Sequence, residues 1–162
     1  MLKLKLFVIT TACVLAGFAA WRIAATNLID NEAWRSAMKD REIRTALERH
    51  WSDIENQDVV HEIYHNDVVM EFPQSGERLL GLTNLRAMRE AYPAKVSAAI
   101  RQSRGGGDLW VTELVLTYDG KKQVNAVSIM EFRDGKVSRE TLYFGDPWEP
   151  PAWRAQWVEQ AK

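Results

Sequence analysis

A chain of 162 residues with a net charge of −1 has room for one ordinary domain and an appendage, and its charge gives no electrostatic ground for nucleic-acid binding. Its 46% apolar content and seven tryptophans call for a substantial interior, since large rings line cores and pockets alike. A single cysteine, Cys13, excludes a disulfide within the chain and leaves the redox compartment unread.

The appendage comes first. Lys3 and Lys5 precede an apolar run from Leu6 to Trp21 that ends at Arg22, the pattern of a secretory signal or a signal anchor. The run is shorter than the roughly 20 residues of a full span, although Ile23 to Ala25 lengthen it if Arg22 snorkels. A signal anchor or signal peptide is therefore expected over 1–25, with the basic flank inside and the domain outside the cytoplasm, periplasmic or extracellular, and secreted if the segment is cleaved. Thr10-Thr11-Ala12 before Cys13 is a poor lipobox, which makes a lipoprotein the weakest alternative. A polar linker over 26–39 carries Trp34.

From 40 to 162 the pattern is that of one α+β domain. Asp40 is placed to cap a helix in which Ile43, Ala46, Leu47 and Trp51 form an apolar stripe. A second short helix is expected over Asp58 to Tyr64, then a strand over Val68 to Phe72, a turn at Pro73 to Gly76 and a short partner strand over Arg78 to Leu80. Period two turns Glu71 outward if Val68, Met70 and Phe72 face in. Thr83 to Ala91 has the spacing of a third helix, with Leu85 and Met88 inward and Pro93 after its end. Ser97 to Gln102 is a strand, and Gly105-Gly106-Gly107 after it is no phosphate loop, because a strand rather than a helix follows. The tail beyond Asp146 holds Pro147, Pro150 and Pro151 and then a helical turn with Trp153 and Trp157; with Trp148 these are candidates for a lid or for ordinary tail packing.

Leu109 to Phe144 organises the rest. Three runs of β-forming residues are separated by Asp119-Gly120 and Asp134-Gly135, two strong hairpin signals, which predicts a three-stranded antiparallel meander. If both turns have two residues, Trp110, Leu114, Asn125, Ile129, Glu131, Glu140 and Phe144 share one face, while Val111, Val115, Ala126, Ser128, Met130 and Tyr143 share the other. Both faces are rich in apolar side chains. Helices are expected on one and a second subunit on the other, a homodimer through the sheet.

The strings HEIYHNDVVMEFPQSGERLLG, DLWVTELVLTYDGK and SIMEFRDGKVSRETLYFGDPWEP resemble the SnoaL-like family of the nuclear transport factor two superfamily, over about Asp40 to Val158. The resemblance implies a cone-shaped half barrel, a curved antiparallel sheet wrapped around three helices on its N-terminal side, with a deep pocket between sheet and helices. It implies no single reaction, since the superfamily includes polyketide cyclases, ketosteroid isomerase, scytalone dehydratase, limonene epoxide hydrolase and binding modules. SnoaL-type cyclases resemble one another in a His on the final strand, and the corresponding position here is Glu140.

A carboxyl group in an apolar pocket has its pKa raised toward neutrality and can take a proton next to a carbonyl, so Glu140 is the leading candidate base, with Asn125 or Tyr64 orienting an oxygen. Around it Trp110, Ile129, Glu131 and Phe144, with His65 near the rim, would form a wall suited to a small hydrophobic molecule bearing one or two oxygens. The chemistry expected of such a site is proton transfer, of isomerase, cyclase, dehydratase or hydrolase type. The plainer alternative gives Glu140 a structural ion pair and the domain a non-catalytic role in ligand binding or dimeric assembly. His61-Glu62-Ile63-Tyr64-His65 matches H-E-x-x-H, the third alternative being a metal-dependent hydrolase; the helix is short and no further His follows, so no metal site is assigned and no cofactor is expected.

Overall fold

In the computed structural model of the protein, Glu32 and residues 35–159 are described. The segment expected to anchor or export the chain, 1–25, lies outside them. Among the described residues no helix is long and apolar enough to cross a membrane. The chain divides into two units, Met1–Arg41 and Glu42–Lys162. In the first, residues 35–41 are helical, so Asp40 lies within a helix and does not cap one.

The second unit opens with helix α1, residues 42–52, followed by α2 (Gln57–Glu62), β1 (Tyr64–Phe72), β2 (Glu77–Leu80), α3 (Leu82–Glu90), β3 (Val96–Gly106), β4 (Leu109–Tyr118), β5 (Lys122–Arg133), β6 (Lys136–Gly145) and a 3-10 turn, Ala152–Trp157. The six strands make one sheet in the order β2-β1-β6-β5-β4-β3, antiparallel except where β1 runs parallel to β6. That pairing brings Tyr64 and Met70, early in the unit, beside Val137 and Glu140 near its end.

The helices cover the inner face because their stripes are apolar there. Ile43, Leu47 and Trp51 of α1 and Leu85 of α3 are buried with Val68, Met70, Trp110, Leu114, Leu116, Met130, Phe132 and Val137 of the sheet. Each fully buried large side chain contributes roughly 1.5–3 kcal/mol. Arg44 fastens α1 to the sheet by donating to the Ser103 carbonyl at 3.1 Å and lying 4.9 Å above the Trp110 ring. Asn56 caps α2, its side chain accepting from the Asp58 and Val59 amides. Strand β3 runs on through Gly105, whose partner is Trp110. A Cβ at Gly105 would stand 2.8 Å from the Trp110 Cα, so this glycine serves close strand approach.

The two hairpins differ from each other. Asp134-Gly135 is a two-residue turn with both φ angles positive, closed by Arg133 opposite Lys136. Asp119-Gly120 has the same backbone, and the Lys121 amide donates to the Tyr118 carbonyl at 2.9 Å, but the ladder closes with Tyr118 opposite Lys122. Lys121 is an extra residue, and β5 is displaced by one relative to a two-residue turn. A second irregularity follows between Glu131 and Phe132 of β5, where Phe132 faces Val137 but Glu131 faces Arg139. The first slip turns β5 over and the second restores β6. Inward-facing residues are thus Trp110, Thr112, Leu114 and Leu116 of β4, Val124, Ala126, Ser128, Met130 and Phe132 of β5, and Val137, Glu140, Leu142 and Phe144 of β6.

Candidate functional site

The inner face and the helices enclose a cavity of about 720 Å³, within the range of small-molecule sites. Met70 and Phe72 of β1, Leu116 of β4, Leu142 and Phe144 of β6 and Met88 of α3 form its apolar wall, with Phe72 and Phe144 stacked at 6.4 Å. Trp51 is next to last in α1, Gln57 begins α2 and Arg89 is next to last in α3, and all three line it as well. Each holds a buried polar atom, Trp51 Nε1, Gln57 Oε1 and Arg89 Nη1, that has no hydrogen-bond partner among the described residues. Glu55, Glu77 and Lys95 contribute exposed charges to the lining.

Glu140 lies behind this wall and does not line the cavity. It is 0% exposed, and both carboxylate oxygens accept: Tyr64 donates its hydroxyl to Oε2 at 2.6 Å and Ser128 donates to Oε1 at 2.7 Å. The Tyr64 oxygen accepts in turn from Arg89 Nη2 at 3.1 Å, and the guanidinium lies 5.6 Å above the Tyr64 ring. Burial pushes the Glu140 pKa up, against the hydrogen bond from Tyr64, the charge of Arg89 and the hydrogen bond from Ser128. Burial, then the charge of Glu140, pushes the Tyr64 phenol well above its ordinary range, so the hydroxyl remains a donor. His50, packed edge-on against the Tyr64 ring, has its Nδ1 2.9 Å from the Val60 carbonyl, which can only accept; burial, with the charge of Arg89, pushes its pKa down to about 3. A neutral His50 must then use Nδ1–H as the donor.

Of the residues expected to form the site, the structure brings Tyr64 and Glu140 together and puts Phe144 on the cavity wall. Asn125, Ile129 and Glu131 point to the opposite face, because Lys121 displaces β5; Asn125 and Glu131 are exposed, and Ser128 and Met130 occupy the places beside Glu140. Trp110 is buried in the core away from the cavity, its Nε1 donating to the Gly107 carbonyl at 3.3 Å. His65 stands in β1 within a surface cluster with Asp67 and Arg133. Glu71 is paired with Arg139 at 2.7 Å on the outward side, in keeping with period two.

The H-E-x-x-H match does not form a metal site. α2 ends at Glu62, so His65 is on a strand and cannot share a helical face with His61. His61 is buried rather than solvated, its Nδ1 2.6 Å from the Gln57 carbonyl, and Glu62 pairs with Arg49 at 3.1 Å. Among the described residues no group of three His, Cys, Asp or Glu side chains is arranged to hold a metal.

Sequence reasoning missed Arg89, Ser128, Gln57 and His50. Arg89 had a signal, standing four residues after the fully buried Leu85 and one after Met88, on the edge of the inward stripe. His50 had one too, three residues after Leu47. Ser128 had none while the register was read with a two-residue turn.

A model of the SnoaL-like domain family matches residues 41–140. The chain belongs to this SnoaL-like family. Its fold is that of the nuclear transport factor two superfamily, and a solved protein of unknown function with that fold from Burkholderia xenovorans is 47% identical, with a TM-score of 0.69 over 75% of this chain and 97% of the other. The solved structure of a putative ketosteroid isomerase from Kribbella flavida is 23% identical, with a TM-score of 0.68 over 76% of this chain and 92% of that one. An epoxide hydrolase of Mycobacterium tuberculosis is 21% identical, with a TM-score of 0.53 over 65% and 84%. Comparison with curated proteins finds no match. The lower-identity likenesses extend the fold alone, so the SnoaL-like domain's chemistry rests on its own side chains.

Proposed function

We propose that this SnoaL-like domain binds a small, largely apolar molecule carrying one or two oxygens in the cavity between its sheet and helices. The observation that carries this reading is a wall of apolar side chains interrupted by Trp51, Gln57 and Arg89, each with a buried polar atom lacking a partner among the described residues. A largely apolar cavity of this size with a few polar residues in its wall suits such a molecule. Native mass spectrometry of the full chain from its own host checks this. A retained organic molecule of a few hundred daltons is expected, and protein that stays bare and binds no member of an apolar carbonyl library at millimolar concentration would sink the reading.

A second reading, proton transfer with Glu140 as base, is favoured by the raised pKa of its buried carboxyl group. Both its oxygens accept from hydroxyls, so a proton would reach it through Tyr64 or Ser128. On any substrate the protein turns over, this reading expects Glu140→Gln to abolish turnover while binding persists; full activity in that variant rules it out. The alternative of a dimeric assembly module rests on the outer sheet face, where Leu109, Val111, Val115, Val127, Ile129 and Tyr143 lie in register and half-buried or exposed. Sedimentation of the full chain decides it, a dimer being expected. The apolar run from Leu6 to Trp21 supports attachment to a membrane with the domain outside the cytoplasm, for which cell fractionation is the test.

A further inference from the structure

Among the described residues, Arg89 is the cation on the cavity wall whose guanidinium reaches into the buried network. Nη2 is committed to the Tyr64 hydroxyl, while Nη1 is buried and has no partner among the described residues. The carboxylate that offsets its charge, Glu140, is not in contact with it: the Tyr64 hydroxyl stands between the two and already spends its proton on Oε2. Ser128 donates to the other oxygen, so both oxygens of Glu140 already accept a hydrogen bond from a hydroxyl rather than from the guanidinium. The result is a cation held from behind by one hydrogen bond on the wall of an apolar chamber, with one nitrogen buried and lacking a partner among the described residues. Trp51 lines the same cavity, and its Nε1 is likewise buried without a partner among the described residues.

Resting on the ligand-binding reading above, and deepening it, we infer that the ligand is an organic monoanion, a carboxylate, whose head is received by Arg89 with help from Trp51 and whose flat or branched apolar body lies against Phe72, Phe144 and Leu142. Two features favour an anion over a neutral carbonyl. A guanidinium next to an apolar space is costly to leave unpaired, and a carboxylate meets its planar fork with two charge-assisted hydrogen bonds where a ketone offers one weaker acceptor. Surplus polar atoms on this wall are also mainly donors: Arg89 Nη1 and Trp51 Nε1 against Gln57 Oε1, whose amide can present its NH₂ instead. Glu55 and Glu77 also line the cavity and would repel an anion, but both are exposed to solvent, with Lys95, so water screens them far more than it screens the inner wall. In this arrangement Tyr64 and Glu140 are positioning residues: they hold the guanidinium and do not touch the ligand.

The test uses the full chain and pairs of probes that differ in charge and little else: 2-naphthoate against 2-naphthamide, and octanoate against octanamide, titrated by calorimetry at neutral pH. A charge-assisted pair in a partly buried site predicts that each acid binds about 10-fold to 100-fold more tightly than its amide. Arg89→Met is expected to erase that difference by weakening the acid far more than the amide, and Arg89→Lys to restore only part of it, because an ammonium lacks the fork. Thermal melts confirm that the variants fold, and the acid-against-amide comparison in the wild-type protein stands without them. Equal binding of acid and amide would overturn the monoanion and leave the apolar cavity as a binding site. Acid preference that survives Arg89→Met would also overturn it, by putting the anion on another cation such as Lys95. Failure of all four probes to bind at millimolar concentration would overturn both the monoanion and the cavity reading on which it rests.

Discussion

Glu140 and Arg89 are the two ends of one hydrogen-bonded chain, and they differ in how completely they are satisfied. At the Glu140 end both oxygens accept a hydrogen bond, from Tyr64 at 2.6 Å and Ser128 at 2.7 Å, and no solvent reaches the carboxyl group. At the Arg89 end one nitrogen is used and another is not. A closed network is what a core needs to tolerate a buried ionisable group, and an open end is what a ligand needs in order to bind. The difference is the ground for the roles proposed above, Glu140 in the frame and Arg89 toward a ligand.

The largest break in this comparison is Glu140→Ala, which orphans two buried hydroxyls and leaves a void; it is expected to cost about 3–5 kcal/mol in urea unfolding. Next comes the pH dependence set by His50. Its folded pKa of about 3 lies below the ordinary 6.5, so its contribution to stability is complete above pH 6.5 and is lost as the pH falls toward 3. The loss is on the order of a few kcal/mol across that window. His50→Asn, whose amide can replace Nδ1–H toward the Val60 carbonyl, should flatten most of it, leaving a shallower slope because burial also holds His61 down. Glu140 has the opposite sign: its raised pKa stabilises the fold fully below about 4.5, and this is lost as the pH rises through the folded value, so Glu140→Gln should remove a decline on the neutral side.

Tyr64→Phe leaves a buried carboxylate oxygen without its donor and frees Arg89 from behind; a loss of about 1–3 kcal/mol is expected in the same unfolding assay. Ser128→Ala removes one donor with less disturbance, about 1 kcal/mol. The smallest effect on stability, within about 1 kcal/mol, is expected of Arg89→Met, since it deletes a donor to a hydroxyl that keeps its bond to Glu140. If Arg89→Met proves as destabilising as Tyr64→Phe, both ends are structural and the contrast fails.

Much of this protein was legible from local pattern. Period 3.6 marked the stripe Ile43, Leu47 and Trp51, period two turned Met70 in and Glu71 out, and the Asp-Gly pairs marked both hairpins, because each signal acts over a few residues of backbone. Glu140 and Tyr64 were singled out separately, and nothing local said that a parallel β1–β6 pairing would join residues 76 apart in sequence. Only the tertiary structure decided which side of β5 faces the helices. The dipeptide in both turns is Asp-Gly with positive φ, yet one ladder closes without an extra residue and the other takes up Lys121. A side-chain period of two makes that single residue exchange Asn125, Ile129 and Glu131 for Ser128 and Met130. The choice is made by packing across the whole sheet, where burying Val124, Ala126, Met130 and Phe132 against the helices outweighs the few tenths to one kcal/mol that separate turn and strand preferences locally.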